Sequence, residues 1–386
     1  MKIPKIVYLL ISGILFVKMA LFMSYPYLAL YLTELHFSAI DIGIILGSHY
    51  LCAGLIGVFG GYVADLISPK NILIFVLMIG SAAFFGLSRS ETFIEFLICS
   101  CILAVSIATF EPIAAVLVTS NSPPSLHALV FRYRYMANNI GAALGPFIGT
   151  LFYLKGSQFP FYITCLLLTF YAFIFLFIKI SPPKELIARS SKNLKEALSH
   201  MKQNKPFLFL MGANFFITMT YIQIFSTMPQ ILHGLEGGRY LYSILITLNP
   251  IIVIATGLFF NQFLIRQSLK NLFGVGAVLL AVSFLGFHFA PVNFPNYIFF
   301  MILFTLAEVL LVPSTSKFLL DLSIEEYKGA YLGAESSSYI GFFVGNLVGG
   351  LLLQYSQYLF LFCAISAVVG FFFYRFSYQK QVRNLI

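Results

Sequence analysis

The sequence predicts an all-α polytopic membrane protein, with about twelve transmembrane helices in two pseudo-symmetric six-helix bundles. Three observations carry that expectation. Hydrophobic residues are 60% of the 386 and charged residues only 10%, with a mean hydropathy of +0.92. Soluble domains are about a quarter charged, so this chain has too few charges to cover a surface in water. The apolar residues run in continuous stretches near the roughly 20-residue length of a spanning helix, without the alternation of barrel strands. The one long polar segment, Ser181 to Lys205, lies close to the middle of the chain. It divides a first bundle (1–180) from a second (207–386, with a short cytoplasmic tail), leaving 181–206 as a basic cytoplasmic linker.

In the first half the spans fall at about 7–32, 41–66, 71–88, 93–118, 131–154 and 159–180. In the second they fall at about 207–232, 240–264, 271–290, 296–319, 330–354 and 357–376. The linker starts on Pro182-Pro183 and sets Lys184, Arg189, Lys192, Lys195, Lys202 and Lys205 against Glu185 and Glu196. With both termini cytoplasmic, only Arg89, Lys155 and Arg239 of the 23 Lys and Arg fall outside, and Lys18 lies within the first span. Basic residues mark the cytoplasmic side, so the net charge of +9 reads as topology in a plasma (bacterial inner) membrane and not as nucleic-acid binding. The five cysteines, Cys52, Cys99, Cys101, Cys165 and Cys363, sit in apolar spans without metal-site spacing. Neither a phosphate-binding Gly-x-x-x-x-Gly-Lys-Ser/Thr nor a His-Glu-x-x-His occurs, so no enzyme activity, metal or cofactor is expected. In a chain without Trp, Tyr25, Tyr27 and Tyr31 read as an interfacial belt at the outer end of the first span.

Charges inside spans are costly and mark candidate sites. Lys18 lies about ten residues, or roughly 15 Å, from the cytoplasmic end of its span. It either faces a partner in a cavity or snorkels to the surface. His49 either titrates near neutral pH or is simply hydrogen-bonded. Glu111, followed by Pro112, sits at a similar depth to Lys18 and is a proton-carrier candidate; Lys18, Arg132 and Arg134 are its possible partners. Asn138 is a polar group that can line a cavity. Gly141, Gly145 and Gly149 share one helix face at i, i+4 and i+8, with Pro146 bending it. Read from the residues alone, that face is a plain packing face against a neighbouring helix. Gly341, Gly345 and Gly349 repeat it 200 positions later. Gly257, Asn261 and Arg266 repeat Gly61, Asp65 and Lys70 at an offset of 196. Two homologous halves follow, with a substrate site near the midplane. Glu308, five residues before Pro313, is either a titrating, cation-contacting group or an acid hydrogen-bonded to a neighbouring helix.

Gly61-x-x-x-Asp65 followed by Lys70 resembles the loop between the second and third helices of the major facilitator superfamily, with Ser68 and Pro69 departing from it. That resemblance implies a latch in which Asp65 helps to hold the outward-facing state. The Gly141, Gly145, Pro146, Gly149 run resembles the motif that marks antiporters in this superfamily, with Thr150 in place of its last glycine. Glu308 with Pro313, and Lys328-Gly329-x-Tyr331-x-Gly333, resemble the twelve-helix drug:proton antiporters. The resemblance implies a monomeric secondary transporter moving a small molecule through the bilayer in exchange for protons by alternating access. Its cargo is then a small lipophilic or cationic compound. Glu308 and Glu111 are the proton-coupling candidates. Lys18, Arg132, Arg134, Asn138 and His49 are the cavity-charge or substrate candidates. The alternative is proton-coupled import or export of a defined metabolite, such as a siderophore or nutrient, with the basic residues favouring an anion. A non-transporting receptor or scaffold on the same fold is the remaining class, and buried charges in both halves argue against it.

Overall fold

In hydrocarbon the backbone must satisfy its own N–H and C=O groups, and a helix does so within one segment. The computed structural model describes residues 3–64, 68–153, 158–178, 194–259, 266–324, 331, 334–355 and 358–385, and among them there is no strand. The first half contains α1 (Lys5–Ser24), α2 (Leu28–Glu34), α3 (Ala39–Ala64), α4 (Pro69–Arg89), α5 (Phe93–Ser120), α6 (His127–Tyr153) and α7 (Phe159–Phe177). It is followed by α8 (Leu194–Gln203), α9 (Lys205–Tyr221), α10 (Gln223–Ser226), α11 (Met228–His233) and α12 (Gly238–Phe259). The remainder is α13 (Leu269–Phe289), α14 (Phe294–Leu322), α15 (Ser338–Tyr355) and α16 (Leu359–Leu385). Local chemistry sets several starts. Thr92 and Glu95 form a reciprocal capping box before α5. Ser268 and Asn293 accept from the backbone N–H three residues on, opening α13 and α14.

The expected twelve spans are not matched one for one. Ten of the described helical stretches are long and apolar enough to cross a membrane, and Ser338–Gln354 is a shorter apolar one. Helix α6 is 27 residues long but carries Arg132 and Arg134, and it is not among the ten.

The chain forms two compact units. Unit 1 is Met1–Ile187 with Met228–Pro250, and unit 2 is Ala188–Thr227 with Ile251–Ile386. Within unit 1, α1 packs on α6 and α7, while α4 packs on α5 and α7. Unit 2 repeats the scheme: α9 packs on α15 and α16, while α13 packs on α14 and α16. The part of the linker that lies within the described residues forms α8, tied within unit 2 by Asn204 Nδ2 donating to Tyr331 Oη (2.8 Å). His200 Nδ1 lies 3.0 Å from the same hydroxyl. Tyr331 belongs to the second-half turn motif and is fully buried.

The glycine faces bring helix backbones into direct contact. A Cβ on Gly141 would lie 2.6 Å from Leu15 O, and one on Gly145 would lie 2.7 Å from Met19 O. In unit 2, a Cβ on Gly341 would lie 2.8 Å from Phe215 O, and one on Gly345 would lie 2.8 Å from Met219 O. Both partners of each contact are thus displaced by the same 200 positions.

The aromatic belt expected from Tyr25, Tyr27 and Tyr31 is corrected. Tyr27 and Tyr31 are buried (0% and 1% exposed), and Tyr25 is half-buried against His49. Tyr27 Oη donates to Pro146 O (2.9 Å) and pairs with Thr150 Oγ1 (2.8 Å), while Tyr31 packs on Phe96 and Phe161. The Tyr27 hydroxyl thereby finds inside the protein the partners that water would supply at an interface, whereas the buried Tyr25 Oη has none among the described residues.

Gly145→Ala and Gly345→Ala should each cost about 1–3 kcal/mol, because the new methyl meets rigid backbone. Gly257, which has nothing within 4 Å of its would-be Cβ, is the control. Gly257→Ala should be neutral or stabilising by up to about 1 kcal/mol through helix propensity. Thermal unfolding of the detergent-solubilised chain checks the contrast.

Candidate functional site

Unit 1 gathers three charges from three helices. The close approach of α6 to α1 at Gly141, whose would-be Cβ lies 2.8 Å from Lys18 Cβ, brings Lys18 beside the residues flanking that glycine. Arg134 of α6 donates from Nη2 to Glu111 Oε2 (2.6 Å) and to Glu111 O (3.2 Å). Lys18 Nζ lies 2.7 Å from Glu111 Oε1, a charge contact whose direction falls short of a hydrogen bond. The side chains of Lys18 and Arg134 are each 19% exposed and that of Glu111 is 26% exposed. Among the described residues no second carboxylate pairs with either cation, so one negative charge serves two positive ones.

The other first-half candidates lie apart from this cluster or beside it. Arg132 is exposed. Asn138, one turn beyond Arg134, is half-buried, and its Oδ1 has no hydrogen-bond partner. His49 is buried, with Nδ1 3.1 Å from Ser100 O and its ring against Tyr25 and Tyr50. Gly61 lies within α3, Lys70 donates to Leu176 O (3.3 Å), and Asp65 lies outside the described residues. Thr150, where the antiporter motif has glycine, accounts for its own departure: its hydroxyl pairs with Tyr27 Oη.

Unit 2 contains a cavity of about 250 Å³ whose lining includes Asn214, Thr218, Tyr221, Phe304, Glu308 and Phe342. Tyr221 Oη donates to Glu308 Oε1 (3.1 Å). The Tyr221 ring stacks on Phe304 (centroids 5.3 Å apart, 27°) and lies near Phe342. Asn214 Nδ2 is buried without a hydrogen-bond partner. A carboxylate beside aromatic faces suits an organic cation, which gains from both.

One constellation escaped the sequence. Glu34 Oε1 pairs with Arg239 Nη1 (3.0 Å) and accepts from Tyr153 Oη (2.5 Å), all within unit 1. The available signal was that Glu34 and Arg239 carry opposite charge at the same expected membrane face.

A family profile described as "Major Facilitator Superfamily" matches residues 10–334. The chain is 27% identical over 384 residues to "Uncharacterized MFS-type transporter YqjV" of Bacillus subtilis (strain 168), covering 96% of this chain and 93% of that one. It is 26% identical over 194 residues to the quinolone resistance protein NorA of Staphylococcus aureus, half of each chain. Among solved structures, a mutant of the nucleoside transporter NupG superposes with a TM-score of 0.81 at 18% identity, covering 96% of this chain and 99% of that one. A bacterial homolog of the human lysosomal transporter Spinster gives 0.76 at 15% identity, covering 97% of each chain. At these identities the structural likenesses show the fold alone.

The charge imbalance orders the cost of substitutions. Lys18→Met leaves a neutral Arg134–Glu111 pair with no charge unpaired and should cost less than Glu111→Gln. Glu111→Gln leaves two neighbouring cations unpaired and should cost up to about 3 kcal/mol, the low end for a broken buried pair because these groups keep some exposure. Thermal midpoints of the two variants in detergent test the order, and equal midpoints would contradict it.

Proposed function

The chain belongs to the major facilitator superfamily, and we propose that it is a secondary active transporter that exports a small lipophilic compound carrying a cationic group in exchange for protons. The observation that carries this reading is Glu308 beside Tyr221, Phe304 and Phe342 in the unit 2 cavity. The cavity supplies apolar area for a lipophilic body and a carboxylate for a positive charge. Competition between a proton and the substrate for that carboxylate is what an exchange cycle needs. Protonating Glu111 forfeits two ion pairs, which argues against Glu111 as the carrier. Glu308 lines the cavity, where Tyr221 donates to it. The similarity to NorA over half the chain and the antiporter-type run at Gly141, Gly145, Pro146 and Gly149 support export. The distribution of Lys and Arg supports a plasma-membrane location with both termini in the cytoplasm. A second reading, proton-coupled transport of a defined anionic metabolite, draws on the excess positive charge around Glu111.

Proteoliposomes with an imposed pH gradient test the first reading. Ethidium, a lipophilic aromatic cation, should move against the proton flow. Glu308→Gln should reduce gradient-driven flux at least tenfold, about 1.4 kcal/mol of coupling. Gradient-driven ethidium flux that survives Glu308→Gln would remove Glu308 from the coupling path.

A further inference from the structure

We infer that Lys18 and Arg134 form a binding site for an anionic group, such as a carboxylate, of the transported compound. The inference rests on the transport reading and extends it to a part of the molecule that the Glu308 cavity does not explain. Three observations point to it. First, among the described residues the cluster is one anion short: Lys18 and Arg134 share the single carboxylate of Glu111. A surplus charge at membrane depth is expensive, and buried charges elsewhere are paired. Second, hydrogen bonding around the cluster is incomplete. Arg134 spends Nη2 on Glu111 while its buried Nε has no partner, although guanidinium binds carboxylates best through two parallel N–H donors. Third, the groups stay accessible at their margins, with Lys18 and Arg134 each 19% exposed. The helices beneath them are fixed by backbone contact at Gly141 and Gly145.

An incoming carboxylate completes the set. It takes Arg134 through two N–H donors, and Glu111 keeps Lys18. Two cations then face two anions, no proton has to move, and no covalent bond changes. Arg132, exposed two residues away, takes no part. The transported class becomes lipophilic zwitterions, which bear an anionic group besides the cationic one.

Binding of 1-naphthoate and of the matched neutral 1-naphthylmethanol to the full chain in detergent tests the inference. The wild type should bind the acid at least tenfold more tightly than the alcohol. Glu111→Gln frees both cations and should widen that preference by about a further tenfold, with naphthoate raising the variant's thermal midpoint. A gain of this kind cannot come from misfolding. Arg134→Gln should abolish the preference. If that variant fails to fold, Arg134→Lys should fold and weaken it, because an ammonium offers no fork. Equal binding of acid and alcohol by both the wild type and Glu111→Gln would overturn the inference. So would a preference that persists in Arg134→Gln, or chloride protecting Glu111→Gln as well as naphthoate does at equal concentration. These measurements need no gradient. Failure of ethidium flux therefore leaves this site standing, and failure of naphthoate discrimination leaves Glu308 untouched.

Discussion

Close approach of helix backbones at two glycine faces is the constraint on which the rest of this molecule depends. Lipid tails are as apolar as leucine, so spanning helices gain little by burying apolar side chains against one another. They gain instead from dispersion and polar contacts at short range, which need small residues. Gly141 and Gly145 bring α6 onto the carbonyls of Leu15 and Met19 in α1. Gly341 and Gly345 do the same to Phe215 and Met219 in α9. A contact held by backbone on one side and no side chain on the other has little freedom to slide. It fixes the register of α1 against α6, and with it the meeting of Lys18, Glu111 and Arg134.

The two units share this scaffold and differ in the chemistry placed on it. The position 200 residues after Lys18 is Thr218, which packs on Gly341 and lines the Glu308 cavity. Helices α5 and α14 begin at Phe93 and Phe294, an offset of 201. By that register Glu308 stands one helical turn before the place of Glu111. Unit 1 thus has an acid held by two cations, and unit 2 has an acid among aromatic rings with a tyrosine hydroxyl donating to it. A repeat explains why the helices pack alike; it does not require the charges to match. Their mismatch is what the proposals of a cation site in one unit and an anion site in the other rest on.

Much of this was legible because charges and glycines are conspicuous in a greasy sequence. A lysine and a glutamate at similar depth, in the first and fourth spans, stood out as candidate partners, but their pairing was open until the helices were placed. The glycine periodicity named its own contact face. What the sequence left open was direction. Arg132 and Arg134 are two residues apart, about 200° around a helix, so one faces inward when the other does not. Nothing in the sequence chose Arg134 over Arg132; the positions of α1 and α5 did. The tyrosines misled for a related reason. A phenol suits a membrane interface and a hydrogen-bonded core equally well, and the carbonyl of Pro146 with the hydroxyl of Thr150 settled Tyr27 in the core. The span count was blurred by α6, which carries arginines, and by the shortness of the apolar stretch Ser338–Gln354.

The segment Met228–Pro250 follows α9 in sequence yet packs within unit 1. On one side α9, α10 and α11 meet near Ile222 and Thr227, where backbone bonding continues from Ile222 N to Thr218 O and from Thr227 N to Gln223 O. On the other, Pro250 lies inside α12, where it removes a backbone donor and loosens the helix. The contacts holding the segment in unit 1 differ in kind from the glycine faces. Tyr242 Oη donates to Pro26 O (3.0 Å), the Tyr242 ring meets Tyr27 edge-on, and Arg239 pairs with Glu34. The arginine is 53% exposed, and an ion pair so open to water contributes only about 0–1 kcal/mol. The segment also carries buried side chains, Met228, Leu232, Tyr242 and Leu245 being each 0–1% exposed, and α11 packs on α2. Backbone-to-backbone packing at the glycines and side-chain burial at this segment are thus two different ways of fixing helices within one unit.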